Sequence, residues 1–151
     1  MTEELTAVVS GVGIVWFGVL GSFVVRNGAD DRTPHALKVR TLLALLVVRA
    51  GEVVPTAQLI AELWNGEPPP TAATALQVYI SKARSALAGV DGRRGPTELL
   101  RTASGGYVLQ IDADDCDVLQ FEALADKGNV ELAHGDPSAA STTLASALSL
   151  W

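Results

Sequence analysis

The chain reads TAQLIAELW at residues 56–64 and TAATALQVYISKARSALA at residues 71–88, two helical patterns separated by NGEPPP. Thr56 can cap the first helix, and the three prolines end it near Trp64 because proline has no backbone N–H. Thr71 can cap the second helix. The apolar residues of the second helix recur at spacings of four and three: Leu76, Ile80, Ala83 and Leu87. This spacing places them on one face, which predicts a helix that packs on a core.

A glycine-tipped hairpin follows a loop that carries Arg93 and Arg94. Residues 98–102 read ELLRT and residues 107–111 read YVLQI, with the turn SGG at residues 104–106 between them. Two such runs joined by glycines are typical of antiparallel strands. The order helix, helix, hairpin predicts a winged helix-turn-helix of the α+β class.

The second helix presents a polar face without an acidic side chain on the side opposite its apolar residues. At about 100° per residue, this face holds Thr74, Val78, Ser81, Lys82 and Ser85, with Gln77 and Arg84 on one flank and Tyr79 on the other. Lys and Arg neutralise phosphates, while short polar groups read base edges. The face and Arg101 in the hairpin therefore predict binding of double-stranded DNA. Two basic residues taken alone also fit a helix that only contacts solvent.

The N-terminal segment from Ala7 to Val25 contains no charged side chain and is just long enough to span a membrane. Four glycines divide it into short groups of valine and aromatic residues, and the turn signal RNG follows at residues 26–28. The glycines and the turn signal predict two strands, near residues 13–20 and 22–26, that form the start of an antiparallel sheet. A membrane anchor is the alternative. The segment lacks the basic region and the A-x-A site of a secretory signal.

An apolar helix is predicted at the centre of the winged-helix core. Thr33-Pro34 form a cap and first-turn pair, residues 37–48 are almost continuously apolar, and Ala50-Gly51 end the helix. Packing is the role expected of this helix, with no chemistry.

A second, helical module is predicted after the acidic residues 112–117. Its first helix carries apolar residues at helical spacing: Val118, Phe121, Leu124 and Ala125. The run Gly135-Asp136-Pro137 closes this helix and caps another. The last helix carries a stripe that we expect to pack in the core of an antiparallel helical hairpin: Ala140, Leu144, Leu148 and Trp151.

The net charge of −6 is distributed unevenly along the chain. Residues 1–33 carry two basic and four acidic side chains, residues 34–108 carry eight and five, and residues 109–151 carry one and eight. The basic surplus therefore falls in the predicted DNA-binding part. For that reason the acidic total does not exclude nucleic acid as a partner.

The sequence contains no pattern typical of an enzyme, a cofactor site or a metal site. Its single cysteine, Cys116, excludes an intrachain disulfide and fits a reducing cytoplasm. The acidic neighbours in DDCD at residues 114–117 raise a thiol pKa, which favours an inert thiol over a redox sensor. His35 and His134 stand alone in the sequence, which favours surface or helix-end positions.

Several separated motifs resemble the OmpR/PhoB type of winged helix: QLIAELW at residues 58–64, ALQVYISKARSAL at residues 75–87 and GGY at residues 105–107. Further motifs are FGVLG at residues 17–21, LLALL at 42–46, AGEVV at 50–54 and PPP at 68–70. In this combination the chain resembles the Streptomyces antibiotic regulatory protein (SARP) family of transcriptional activators. The resemblance covers about residues 13 to 151.

The resemblance implies three parts of the chain: an N-terminal extension at residues 1–12, an OmpR/PhoB-type DNA-binding domain at residues 13–111, and the start of a helical activation domain at residues 112–151. That domain is built of tetratricopeptide-like pairs and needs about three repeats for stability, so the chain is expected to hold only its first pair. The family also implies a cytoplasmic activator of secondary-metabolite genes. It would bind direct repeats in promoter DNA as a tandem homodimer, with RNA polymerase or a sigma factor as a further partner.

The family's roles can be carried over residue by residue. Val78 and Lys82 would face the major groove, and Tyr79 and Arg84 would flank it near phosphates. Trp64 and Tyr107 would touch the DNA backbone, and Arg101 and Thr102 would bring the wing toward the minor groove. Typical members show Ser-Arg-Leu-Arg-Arg where this chain has SKARS at residues 81–85. Because Lys lacks the bidentate pairing of Arg, weaker and more salt-sensitive binding is expected.

Two other interpretations fit the same residues. One is a protein-interaction module whose winged helix no longer binds DNA and whose helical hairpin binds a regulator or sigma factor. The small basic surplus supports it. The other is a membrane-anchored winged-helix regulator, supported by the uncharged segment from Ala7 to Val25.

Overall fold

The computed structural model of the chain describes residues 15–88 and 95–151. Its elements, in chain order, are β1 (Val15–Gly18), β2 (Val24–Asn27), β3 (Asp30–Asp31), α1 (Leu37–Val48), β4 (Val54–Pro55), α2 (Thr56–Leu63), α3 (Ala72–Leu87), α4 (Pro96–Leu99), β5 (Leu100–Ala103), β6 (Gly106–Leu109), a 3₁₀ turn (Ala113–Asp115), α5 (Asp117–Ala133) and α6 (Pro137–Leu148). This arrangement confirms the predicted α+β fold, a winged helix with an N-terminal antiparallel sheet, a wing hairpin and a helical hairpin.

The N-terminal sheet has the antiparallel order β1-β2-β3. Gly18 pairs with Val24 and Val15 with Asn27. Both predicted strands are therefore present, but β1 ends at Gly18 and not at residue 20, and β2 runs from Val24 to Asn27 and not from 22 to 26. Residues 13 and 14 lie outside the described part. The same strands contain residues of the segment considered as a membrane anchor, whose residues 7–14 are likewise outside the described part. Across residues 15–88 and 95–151, no helix is both long enough and apolar enough to cross a bilayer.

The second sheet has the order β4-β6-β5, and β5 and β6 form the wing hairpin. The first wing strand begins at Leu100 and not at Glu98, because Glu98 lies in the short helix α4 and its carboxylate accepts the Gly95 N–H at 3.2 Å. The second strand ends at Leu109, two residues before the predicted end. Strand β4, which the sequence analysis did not predict, pairs with β6 through Val54 and Tyr107.

Two predicted helix caps are wrong. Helix α1 begins at Leu37, where the apolar run begins, with Ala36 and not Thr33 at the cap position. The Thr33 hydroxyl instead accepts the Val25 N–H of the sheet at 3.0 Å. Thr56 is the first residue of α2 and not its cap, and its N–H donates to the Gly105 carbonyl at 3.0 Å. Thr71 does occupy the cap position of α3, although its side chain makes no capping hydrogen bond.

The core of the winged helix surrounds α1, as predicted. The side chains of Leu42, Leu43 and Leu46 are fully buried. The predicted inner face of α3 is buried against this core, which also receives Phe17 and Val25 from the N-terminal sheet. The N-terminal sheet and the winged helix therefore share one apolar core.

Helices α5 and α6 form the predicted antiparallel hairpin, but the buried face of α6 differs in part from the predicted one. Its buried residues are Ala140, Thr143 and Ala147, whereas Leu148 is 66% exposed and Trp151 lies beyond the helix end and is 70% exposed. The Thr143 hydroxyl donates to a Glu131 carboxylate oxygen at 2.7 Å, which holds this face of α6 against α5. The predicted core stripe is therefore wrong at Leu148 and Trp151.

A buried carboxylate joins the helical hairpin to the N-terminal sheet. Asp117, the first residue of α5, accepts the Val19 N–H at 2.8 and 3.0 Å, the Leu20 N–H at 3.1 Å and the Val118 N–H at 2.7 Å. Beside it, Cys116 forms an isolated parallel bridge with Phe17. The acidic stretch before α5 is therefore a packed junction and not only a solvated link.

Cys116 has the raised thiol pKa expected from the sequence, but the main cause is different. Burial of the fully enclosed side chain raises the pKa from 9.0 to about 11, and the neighbouring Asp117 carboxylate contributes less. The unfolded chain releases this proton first as the pH rises. The stability that the thiol contributes is therefore present below pH 9.0 and is lost as the pH rises through about 11.

We expect Cys116 to resist alkylation at about pH 8, because the thiolate is the reactive form and the folded chain keeps the thiol protonated. Iodoacetamide modification followed by mass spectrometry checks this expectation. The same chain in concentrated urea serves as the control and should react readily, since unfolding exposes the thiol and returns its pKa to 9.0. Equal rates in the two states would contradict the buried, protonated thiol.

Candidate nucleic-acid interface

The outer face of α3 is solvent-exposed, as its periodicity predicted. The exposed residues are Thr74, Gln77, Val78, Ser81, Lys82 and Ser85. Among them Val78 is an apolar side chain with 46% of its surface exposed. No acidic residue occurs between Ala72 and Leu87. The face is therefore a continuous surface of one cation, short polar groups and one apolar contact, a composition that suits the major groove.

Arg84 connects α3 to the wing. Its Nε donates to the Leu100 carbonyl at 3.0 Å, and its Nη2 donates to the Thr102 hydroxyl at 2.9 Å. Arg84 and Thr102, which were predicted separately as DNA contacts, are thus hydrogen-bonded to each other. These two hydrogen bonds hold the wing strand β5 against α3.

A groove of about 460 Å³ lies between α3 and the wing. Its lining includes Gln77, Ser81, Arg84, Ser85 and Tyr107 from the predicted interface. Tyr107 pairs across the hairpin with Thr102 and is half-buried, while Arg101 is exposed on the neighbouring strand. The groove therefore brings side chains of α3 and Tyr107 of β6 together, and Thr102 of β5 adjoins it through its bond to Arg84. Arg101 alternates with Thr102 along β5 and so lies on the other face of the hairpin.

An aromatic pair lies on the flank of α3 opposite to Gln77 and Arg84. Trp64 follows the last residue of α2, and its ring stacks on Tyr79 of α3 with centroids 6.0 Å apart and planes inclined by 29°. Both side chains are half-buried. The chain leaves Trp64 through Asn65 and Gly66, both in the left-handed region with φ of 52° and 81°. This turn lets the two helices meet at the ring pair.

Sequence reasoning missed two basic residues that support this surface. Arg32, just after β3, donates to the Ser85, Ala86 and Ala88 carbonyls at 3.4, 3.4 and 3.0 Å. It thereby donates to carbonyls in the last turn of the helix, where the regular intrahelical donors end. Lys38 lies over the Trp64 ring. Both partners are far away along the chain, so no local spacing could have revealed either contact.

The other residues considered in the sequence analysis are the two histidines and the two arginines of the loop before the wing. His35 and His134 are exposed, and His134 occupies the end of α5 as predicted. In the part of the chain that the structure describes, no group of three or more His, Cys, Asp or Glu side chains is placed to hold a metal ion. Arg93 and Arg94, counted in the basic surplus, lie outside the described residues.

The family described as "Transcriptional regulatory protein, C terminal" matches residues 33–109. These residues contain α1, α2, α3 and the wing hairpin. The match therefore covers the helices and strands that carry the whole candidate interface.

Two Streptomyces regulators are similar to most of the chain. Regulatory protein DnrI of Streptomyces peucetius is 39% identical over 136 residues, which are 88% of this chain and 50% of that protein. Transcriptional regulator RedD of Streptomyces coelicolor is 35% identical over 142 residues, which are 92% of this chain and 39% of that protein. The chain thus spans half or less of the length of these relatives.

The solved structure of Mycobacterium tuberculosis EmbR in complex with a low affinity phosphopeptide has the same fold, with a TM-score of 0.81 and 32% identity. The match covers 91% of this chain and 36% of the EmbR chain, so it extends past the winged helix into the helical hairpin. These relatives are transcriptional regulators, which confirms the prediction that the chain is not an enzyme. The chain belongs to the SARP family of transcriptional regulators and carries an OmpR/PhoB-type winged helix.

Proposed function

We propose that the chain binds promoter DNA in a sequence-specific manner and activates transcription of secondary-metabolite genes. The observation that carries the proposal is the exposed, acid-free face of α3, fixed next to the wing by Arg84. A helix of this kind fits the major groove, and an adjacent hairpin can reach the flanking backbone and minor groove. Family membership supports the same assignment.

In the proposed complex, α3 reads bases through Val78 and Lys82, with Thr74, Gln77, Ser81 and Ser85 on the same surface. Trp64, Tyr79 and Tyr107 contact the DNA backbone. Arg101 and Thr102 carry the wing toward the minor groove. Arg84 already donates two N–H groups to the wing, so its contact with a phosphate uses the remaining guanidinium N–H groups.

The proposal assigns residues 13–111 to the DNA-binding domain and residues 112–151 to the start of a tetratricopeptide-like activation domain. Two copies bind a direct repeat side by side, and the helical part contacts RNA polymerase or a sigma factor. This role implies that the protein is located in the cytoplasm and associated with the nucleoid. The surplus of acidic side chains at residues 109–151 suits a surface that faces protein and not DNA.

Selection from a pool of random duplexes, followed by sequencing and by anisotropy titrations at two salt concentrations, tests the function. Enrichment of spaced direct repeats is the expected result. Salt-sensitive binding without enrichment, or the absence of binding, would instead favour a protein-interaction module. The two salt concentrations separate backbone contacts from base reading, because only the former are tied to counterion release.

Replacing Lys82 tests the base-reading role. Because its side chain is exposed on the outer face of α3, Lys82→Ala should cost about 1 to 3 kcal/mol of binding free energy on the selected site and relax base preference. Anisotropy against the selected and a scrambled duplex measures both effects. Lys127→Ala is the matched control, since it removes the same charge from an exposed position on α5. Unchanged affinity and preference in Lys82→Ala would remove this residue from the recognition surface.

A further inference from the structure

We propose that Lys38 is a positioning residue of the DNA interface, which holds Trp64 and Tyr79 in place for the backbone without touching DNA itself. This inference rests on the proposed DNA-binding function. Lys38 belongs to α1, the buried helix for which sequence analysis predicted a packing role alone. It is one of three lysines in the chain.

The Lys38 ammonium is turned inward, toward two groups at the end of α2. Its Nζ donates to the carbonyl of Leu63, the last residue of that helix. The same Nζ lies 5.1 Å from the centroid of the Trp64 ring. A cation at a helix C-terminus and a cation over an indole face are both favourable arrangements. The two contacts therefore hold the end of α2 and the Trp64 ring against α1.

The Trp64 ring in turn stacks on Tyr79, so that Lys38, Trp64 and Tyr79 form a column of three side chains. We call it the Lys38 stack. Each member comes from a different part of the helical framework: α1, the end of α2, and α3. A side chain that presents an N–H or O–H to a phosphate binds better when its rotamer is already ordered, because less entropy is lost on binding. The Lys38 stack supplies that order on the flank of α3 away from the wing.

The position of Lys38 distinguishes it from the cations that would meet DNA. Lys82 is exposed on the outer face of α3, whereas Lys38 is half-buried and has its ammonium occupied by a carbonyl and a ring. Removing its charge should thus weaken the contacts made by Trp64 and Tyr79 and leave base preference unchanged. The number of counterions released should also stay the same, since Lys38 neutralises no phosphate.

The test compares Lys38→Met and Lys38→Arg with the wild-type chain in anisotropy titrations on the selected duplex. Methionine keeps a long apolar side chain but has no charge, and affinity should fall about threefold to thirtyfold, the range expected from a cation–π contact. Arginine keeps both the carbonyl bond and the stacking and should restore binding to within about twofold of wild type. Lys127→Met is the matched control. A Lys38→Arg variant as weak as Lys38→Met would overturn the proposal.

Two further readouts separate positioning from general stability and from a direct DNA contact. In a Trp64→Leu background, Lys38→Met should have little additional effect, because a residue that acts through another is not additive with it. The salt slope should be unchanged, and a slope lower by about one would show that Lys38 contacts a phosphate itself. If Lys38→Met lowers folding stability in urea, Lys38→Gln keeps a donor for Leu63 without the charge and serves in its place. Wild-type binding with unchanged Lys38→Met affinity overturns this inference alone, whereas a wild-type chain that binds no duplex overturns the proposed function as well.

Discussion

Asp117→Ala should lower the free energy of unfolding by about 3 kcal/mol, because its carboxylate is the acceptor for several backbone N–H groups at the junction. The carboxylate accepts backbone N–H groups from Val19, Leu20 and Val118, and all three lose this partner in the variant. A buried donor left without an acceptor costs about 1 to 3 kcal/mol, and bonds to a charged acceptor lie at the upper end of the range. Urea unfolding followed by circular dichroism measures the change.

Asp126→Ala is the matched control for this experiment, because it removes the same group from an exposed position on the same helix. Its effect should stay within about 0.5 kcal/mol. Asp117→Asn should fall between the two variants, since the amide retains one oxygen acceptor but loses the charge. Equal losses in Asp117→Ala and Asp126→Ala would show that the junction adds no stability.

Gly106→Ala should destabilise the wing sheet by about 3 kcal/mol, because the site has no room for a side chain. A Cβ atom at Gly106 would lie 2.1 Å from the Val54 carbonyl oxygen and 2.8 Å from its carbon, both of them backbone atoms of β4. To relieve the contact, β4 has to move away from β6 and give up its pairing. We expect a lower midpoint of urea unfolding and a weaker complex with the selected duplex.

Gly21→Ala provides the comparison for Gly106→Ala, since a Cβ at this exposed turn position meets nothing within 4 Å. Its unfolding midpoint should match that of the wild-type chain. An equally stable Gly106→Ala variant would mean that β4 does not pair closely with the wing in solution.

The elements that carry long periodic patterns could be predicted from the sequence. The buried face of α3 and its exposed opposite face follow from side-chain spacing alone, and they place most of the candidate site on the surface. The wing was recognisable from its glycines, although its strands begin and end at other residues than expected, because α4 takes up Glu98 and Leu99. Strands β3 and β4 have only two residues each, too few for a periodic signal.

What the sequence could not reveal are contacts between residues far apart along the chain. Arg84 was expected to be free for a phosphate, yet it shares its N–H groups with the wing. Arg32 and Lys38 support α3 and Trp64 from the N-terminal sheet and from α1. The predicted stripe of α6 was wrong at Leu148, since Thr143 and Ala147 are buried beside Ala140 and the Thr143 hydroxyl bonds to Glu131 of α5, while Leu144 packs on Gly128 as the stripe predicted.

The Asp117 junction has a consequence for how such regulators can be recombined. A chimaera joined at residue 112 would place the acceptor carboxylate and the N–H groups of Val19 and Leu20 in sequences of different origin. Because β1 carries the fully buried Phe17, and Arg32 after the same sheet bonds to the end of α3, a mismatch at this junction would also disturb the position of α3. The junction of a chimaera is therefore better placed after the first turn of α5, so that Asp117 and the N-terminal sheet come from the same protein.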